Sequence, residues 1–254
     1  MISVVIVGTG NVAQNLFNAL EKANDVSVKQ VIGRNPQKLA FVTDQAITSS
    51  NFENIVAADI YILAISDDAI SAVAQNFKNI NGILVHTSGA TSINELSTAK
   101  RPGIFYPLQT FTKDRIITFN EIPICIESPN EDDLELLKKL GNTLSNTVVE
   151  LGSDQRKTLH VAAVFVNNFT NYMYTVGAEI CNEHQIDFKL LQPLIKETAA
   201  KLDKITPLEA QTGPAKRGDQ KTLHNHLQLI KDKHQRELYT LLSNAIKEKH
   251  GKEL

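Results

Sequence analysis

Short apolar runs alternate with helical patterns through the first half of the chain. Ile2–Val7 is β-branched and apolar at nearly every position, as in a parallel strand buried on both faces. Asn11–Lys22 then carries Val12, Leu16, Phe17 and Leu20 at helical spacing. Further strands are predicted at Val28–Gly33, Ile60–Ile65, Gly82–His86 and Pro102–Tyr106, and short ones at Pro123–Glu127 and Thr147–Leu151. Between the last two, Glu131–Leu144 reads as a helix capped by Asn130, with Glu131, Asp132 and Asp133 at its positive end. Strand and helix repeated in this order predict an α/β fold, a Rossmann-type, doubly wound, mainly parallel sheet.

After Gly152 the pattern becomes almost wholly helical. Asp154–Glu183 reads as one helix, Asp187–Leu202 as a second, and Asp219–Lys249 as a third that can divide in two. Pro207 and Gly213-Pro214 mark turns. The domains are therefore 1–152, Rossmann-like, and 153–254, all-α.

Composition narrows the class without choosing the chemistry. Over 254 residues, 42% are hydrophobic and 21% charged, as in an ordinary globular protein. A formal charge of -2 speaks against nucleic acid as the main partner. No apolar run reaches the roughly 18 residues of a membrane span, and the N-terminus lacks a signal-peptide pattern. A cytoplasmic protein is expected. Cys125 and Cys181 lie in no motif and read as buried thiols, and His224 and His226 are too close in sequence to share a helix face as a metal pair. No metal is expected.

Gly8-Thr9-Gly10-Asn11-Val12-Ala13 falls where the first strand turns into the first helix. Gly8 permits a tight turn, Gly10 lets a pyrophosphate approach the backbone, and Ala13 allows close packing of helix on strand. The helix start supplies free N–H groups and a favourable dipole. That context favours dinucleotide binding over a purely structural turn. The second strand ends Gly33-Arg34-Asn35-Pro36, with no carboxylate to grip ribose hydroxyls. Arg34 can pair with a 2′-phosphate, and Asn35 can add a hydrogen bond and cap the helix begun by Pro36. NADP is thus favoured over NAD, the alternative being a lone surface arginine.

Ligands of open α/β sheets bind beyond the carboxyl ends of the strands. Ile65 at the end of the third strand, Ser66 just after it and Ser88 after the fourth are assigned to the cofactor, the two serines as partners of the nicotinamide ribose or carboxamide. Asp67 or Asp68 reads as a helix cap, and His86 as either a satisfied strand-end histidine or a site residue. Gln109, after the fifth strand, is assigned to substrate. In the second half, an α-helical pitch places His160, Val164, Asn167, Asn168 and Asn171 within a face about 100° wide. This stripe is either a helix–helix hydrogen-bond network or a substrate-facing surface, with His160 as proton donor, Asn168 beside it, and Asn167 and Asn171 contacting substrate. In Thr212–Asp219, Lys216 and Arg217 either hold a substrate anion or are solvated charges on a turn, and Asp219 caps the next helix.

Gly8–Ala13, Ile65–Asp68, Tyr106–Phe111, His160–Phe165 with Asn168, and Thr212–Asp219 together resemble a family of Rossmann-like proteins with an α-helical C-terminal domain of unknown function. The resemblance spans essentially the whole chain. That family is similar to the 6-phosphogluconate dehydrogenase-like reductases, among them pyrroline-5-carboxylate reductases, β-hydroxyacid dehydrogenases, ketopantoate reductases and deazaflavin-dependent NADP oxidoreductases. The resemblance implies NADP on the first domain, substrate in the cleft between domains, and a homodimer formed through the helical domain. β-Hydroxyacid dehydrogenases use a lysine four residues before an asparagine on the first helix of the second domain. With Asn168 as that asparagine, Val164 stands at the lysine position, so their mechanism does not carry over; His160, one turn earlier, is the substitute. The family often has histidine where this chain has Tyr106. The expected function is an NADP(H)-dependent oxidoreductase reducing a small carbonyl or imine, a 2-oxo acid such as ketopantoate being one candidate. The alternatives are a non-catalytic NADP(H) sensor or scaffold and a deazaflavin-dependent NADP oxidoreductase.

Overall fold

A computed structural model describes residues 1–43, 45–112 and 115–250. Strands β1 (Ile2–Val7), β2 (Val26–Ile32), β3 (Ile47–Ser49), β4 (Ile60–Leu63), β5 (Ile83–His86), β6 (Pro102–Pro107), β7 (Ile124–Glu127) and β8 (Val148–Glu150) form one sheet in the order β3-β2-β1-β4-β5-β6-β7-β8. Neighbouring strands are parallel except β6 and β7. The sheet is thus Rossmann-like and mainly parallel, as its spacing predicts. Its second strand starts two residues early, and β3 is an addition that the hydrophobic pattern does not announce.

β1 shows why an unbroken apolar run marks a central strand. Val4 and Ile6 enter one core, together with Leu16, Phe17 and Leu20 of helix α1 (Asn11–Lys22) and Leu134, Leu137 and Leu140 of α3 (Glu131–Asn142). Val5 and Val7 enter the other, against Ile70 and Ala74 of the short helix α2 (Ile70–Ala74) and Phe77. Period-two alternation sends successive side chains to opposite faces, so burial of both faces requires every position to be apolar. Phe17, Leu16 and Leu20 are fully buried, worth about 1.5–3 kcal/mol each.

Asn130 caps α3 by accepting from the Asp133 amide at 3.1 Å, as expected. Asp67 and Asp68 do not cap: Ser66 holds that position, without a side-chain bond, and the two acids lie in the first turn of a 3-10 segment.

By contacts the chain divides into one compact unit of residues Met1–Asn167 and a second beginning at Asn168. The long helix expected over 154–183 is not uniform. It comprises α4 (Ser153–Ala163), a π-helical segment (Val164–Phe169) and α5 (Thr170–Glu183). Beyond it come α6 (Gln192–Ala200), flanked by 3-10 turns at Phe188–Leu191 and Lys201–Asp203, then α7 (Pro207–Ala210), α8 (Gln220–Leu229) and α9 (Lys233–His250). Asp219 caps α8 as expected, accepting from the Thr222 amide at 3.0 Å. Pro207 starts a helical turn rather than a plain turn, because Thr206 and Glu209 form a capping box ahead of it. No helix among the described residues is long and apolar enough to cross a membrane.

Candidate functional site

The site is built where the sheet reverses direction. From β1 the chain proceeds to β2 and β3 on one side, then crosses to β4 on the other, which opens a crevice beyond the carboxyl ends of β1 and β4. The glycine loop lies there. Gly8 adopts φ +131°, and a Cβ on it would sit 2.1 Å from the Ala64 carbonyl oxygen at the end of β4. Only glycine fits that turn. Gly10, the N-cap of α1, differs: its φ of -80° is ordinary, and an added Cβ would meet nothing within 4 Å. Neither conformation nor packing demands glycine there, and space is left above the backbone.

The helix start beside that space is unusually bare. No side chain caps α1, its first turn holds no acid, and the Asn11, Val12 and Ala13 amides find no acceptor among the described residues. At α3, by contrast, Asn130 and three acids satisfy the same need. Bare amides and a positive dipole end suit a phosphate. The loop is braced from below. Gln14 Nε2 donates to the Thr9 carbonyl at 3.1 Å and Asn11 Nδ2 to the Phe111 carbonyl at 3.0 Å. Thr9 packs so closely on Gly33 that a Cβ at Gly33 would approach Thr9 Cγ2 to 2.2 Å. Val12 packs partly buried against the core. The residues present therefore fit a dinucleotide pyrophosphate.

At the end of β2, Arg34 is exposed, with no carboxylate paired to it among the described residues. Asn35 accepts from the Gln37 amide at 3.0 Å and so caps the 3-10 turn at Pro36–Leu39. After β4, Ile65 is half-buried and Ser66 exposed. The Ser88 hydroxyl is committed inside its own turn: it donates to Thr91 Oγ1 at 2.9 Å and accepts from the Ala90 and Thr91 amides. That engagement leaves little for a ligand.

His86 resolves as a satisfied strand-end histidine. It is fully buried, its Nδ1 accepts from the Ser88 amide at 3.2 Å, and its Nε2 lies 3.3 Å from the Ser92 carbonyl. Burial, the largest influence, lowers its pKa to about 4, so the ring is neutral near pH 7.

One contact at this end was not assigned from sequence. The hydroxyl of Tyr106, on β6, lies 3.3 Å from Nδ1 of His160, on α4, and the rings meet edge to face with centroids 6.3 Å apart. Burial raises the pKa of Tyr106, so its phenol stays protonated. Gly89 closes the pair from the β5 side: a Cβ there would come within 2.6 Å of His160 Nδ1 and 2.8 Å of Tyr106 Cζ. One turn before His160, the fully buried Arg156 pairs with Glu127 and donates to the Thr91 carbonyl and to Ser153 Oγ, while its Nε–H finds no acceptor among the described residues. Tyr106 stands at the end of a predicted strand, which was the available signal. Nothing in the sequence announces Arg156 or Gly89.

The other assigned residues are placed as follows. Gln109 is exposed, and its Oε1 accepts from the Thr110 amide at 2.8 Å. Asn167 and Asn168 fall in the π-helical segment, and Asn171 is the second residue of α5. An α-helical pitch does not run through Val164–Phe169, where bonding is i to i+5, so the single face computed for residues 160 to 171 does not hold. Lys216 Nζ donates to the Gln211 carbonyl at 3.0 Å, which makes it a brace of its turn, whereas Arg217 is exposed. Gly213 and Gly218 carry positive φ in that turn, +107° and +67°.

A glycine turn at a topological switch point, an uncapped helix behind it, and a helical second part define the chain as a Rossmann-type protein of the dinucleotide-binding class. Residues 3–87 match the family described as "NADP oxidoreductase coenzyme F420-dependent", and residues 122–246 match "Domain of unknown function (DUF2520)". Among solved structures, a "putative NADP oxidoreductase" from Bacteroides fragilis is 37% identical, with 97% of this chain and 98% of that one covered and a TM-score of 0.89. The chain belongs to this NADP oxidoreductase family. A Thermotoga maritima protein is 21% identical over 98% of this chain and 99% of its own, with a TM-score of 0.76. A reductive aminase from Aspergillus terreus, in complex with NADPH and ethyl levulinate, is 16% identical over 99% and 95%, with a TM-score of 0.69. These two likenesses concern the fold. Comparison with curated proteins finds no match.

Proposed function

We propose that the protein is an NADP(H)-dependent oxidoreductase that reduces a small carbonyl or imine compound. The observation that carries this reading is the glycine loop: a Gly8 that packing requires, a Gly10 that packing does not, and three amides without acceptors among the described residues, beside the space Gly10 leaves. Gly8, Gly10 and the start of α1 hold the pyrophosphate. Thr9 and Val12 shape the loop, and Asn11 ties it to the Phe111 carbonyl. Arg34, exposed and without a paired carboxylate among the described residues, holds the 2′-phosphate, with Asn35 beside it. Ser66 is free to meet the nicotinamide ribose. When bound, the nicotinamide supplies hydride to the substrate carbon. His160 gives a proton to the heteroatom. The reductive aminase supports this range of substrates through its fold and its bound NADPH.

The purified protein should bind NADPH at least about tenfold more tightly than NADH by calorimetry, a difference of roughly 1.4 kcal/mol. Arg34→Ala should erase that preference. With a panel of 2-oxo acids and cyclic imines, loss of nicotinamide absorbance should reveal turnover, and His160→Ala should lower kcat on 2-oxo acids by about 100-fold. Absence of binding by either nucleotide would overturn the reading. Tight binding without turnover on any substrate, accompanied by a change in association state, would support the sensor instead.

We also propose a homodimer joined through the helical second part. Residues 161–242 hold most of the large apolar side chains left exposed, Val166, Leu190 and Leu194 among them.

A further inference from the structure

We propose that Tyr106 fixes the proton of His160 on Nε2, and that reduction of carbonyls, unlike that of iminium ions, depends on this pair, seated on Gly89. The second half of this statement rests on the reductase reading above; the first does not.

The geometry sets the order of the atoms. His160 turns Nδ1 toward the Tyr106 hydroxyl at 3.3 Å. Burial keeps the phenol protonated, so it has a hydrogen to give in that contact, and Nδ1 is assigned as the acceptor. The other ring nitrogen, Nε2, then carries the hydrogen and points away from the phenol. A distance of 3.3 Å is long for such a bond, as is common before substrate arrives. Gly89 prevents drift in one direction, because its backbone already abuts both rings. Arg156 ties the helix that carries His160 to the neighbouring loop. It lies one helical turn before His160 and is bonded to the carbonyl of Thr91, two residues past Gly89. The imidazole is therefore bounded by a strand end and a loop, Tyr106 and Gly89.

An imidazole carrying its hydrogen on Nε2 can polarise a carbonyl by hydrogen bonding from that nitrogen. As hydride reaches the carbon, the C=O π pair moves to oxygen and takes the Nε2 proton. The phenol proton moves to Nδ1, and the electron pair of the O–H bond stays on the phenolate. Water then reprotonates the phenolate, and the ring returns its Nδ1 proton through solvent exchange to regain the starting tautomer. Atoms and charge balance with NADPH as reductant and water as final proton source. An oxygen that becomes anionic needs this proton. An iminium nitrogen arrives already protonated and becomes a neutral amine on hydride addition, so it needs none. Tyr106 acts through His160 and is a positioning residue.

The test is long-range proton–nitrogen correlation NMR on the full chain with ¹⁵N-labelled histidine, with His160 assigned by loss of its signals in His160→Gln. Wild type should show Nε2 protonated and Nδ1 bare. Tyr106→Phe should collapse this into averaged nitrogens, and Gly89→Ala should do the same by pushing the ring off the phenol. Averaged nitrogens or a protonated Nδ1 in wild type, or no change in Tyr106→Phe, would overturn the tautomer assignment whether or not any substrate is turned over. In turnover, Tyr106→Phe should lower kcat on 2-oxo acids by about 100-fold with KM little changed, and leave cyclic iminium substrates within about twofold. Equal losses on both classes would overturn the dependence specific to carbonyls while leaving the reductase reading intact. Unaltered NADPH binding in the variant keeps the two readings apart.

Discussion

Gly8 and Gly10 lack side chains for different reasons, and that difference can be measured. At Gly8 a Cβ would collide with the Ala64 carbonyl, and the backbone lies in a region that L-residues rarely adopt. Gly8→Ala should cost at least about 2 kcal/mol of stability in urea unfolding. At Gly10 the Cβ would project into open space from an ordinary conformation. Gly10→Ala should keep stability within about 1 kcal/mol yet weaken NADPH by at least about tenfold. Equal effects on folding and binding at the two positions would contradict a pyrophosphate at Gly10. Both glycines were legible in the sequence because their roles depend on a turn six residues long. The Tyr106–His160 pair was not: the partners are 54 positions apart, and only the folded sheet and α4 bring them together. The same holds for Thr9 against Gly33, where a side chain on the glycine loop excludes one at the end of β2.

At the scale of elements, local chemistry was readable and tertiary context was not. The caps at Asn130 and Asp219 follow from a side chain bonding an amide three residues on, and both are present. The break between α8 and α9 and the three-residue strand β3 depend on neighbours, and the π segment depends on how one stretch of helix is packed, so periodicity alone missed the last two and left the first open. α4 shows how a single buried charge anchors an element. Arg156 bonds Glu127 at the end of β7, the Thr91 carbonyl in the β5–β6 connection, and Ser153 at the start of its own helix. Glu127 accepts also from Ser153 Oγ at 2.9 and 3.0 Å. Removing the cation leaves Glu127 under-paired and a fully buried space unfilled. Arg156→Ala should therefore destabilise the protein by about 3–5 kcal/mol in chemical unfolding. Arg156→Lys should recover part of that loss, since an ammonium restores charge but not the fork that reaches three acceptors. A loss below about 1 kcal/mol for Arg156→Ala would show that the network does not hold the helix.

For the whole molecule, the two parts of the chain differ in how they treat apolar side chains. Residues 1–152 hide nearly all of their own: of the large ones described there, Met1, Ile47, Ile116 and Val149 are exposed. Among the described residues of the helical part, the buried apolar ones are Cys181, Ala210, Ala215 and Ile230, while Leu190 is 72% exposed and Leu194 63%. Each leucine of that kind forgoes about 1.5–3 kcal/mol available on burial. A formal charge of -2 on 254 residues opposes self-association weakly, so a second copy of the same face is a fitting cover. Leu190 and Leu194 lie four positions apart and flank the start of α6, which makes them sensitive probes of such an interface. Sedimentation at micromolar concentration should give twice the chain mass. Leu190→Glu combined with Leu194→Glu should shift it to a single chain, because carboxylates buried against an apolar partner would be desolvated without a counter-charge. NADPH binding should survive in the variant, since the glycine loop belongs to the sheet unit. A wild-type protein that sediments as a monomer, or a double variant that remains a dimer, would remove this face from the interface.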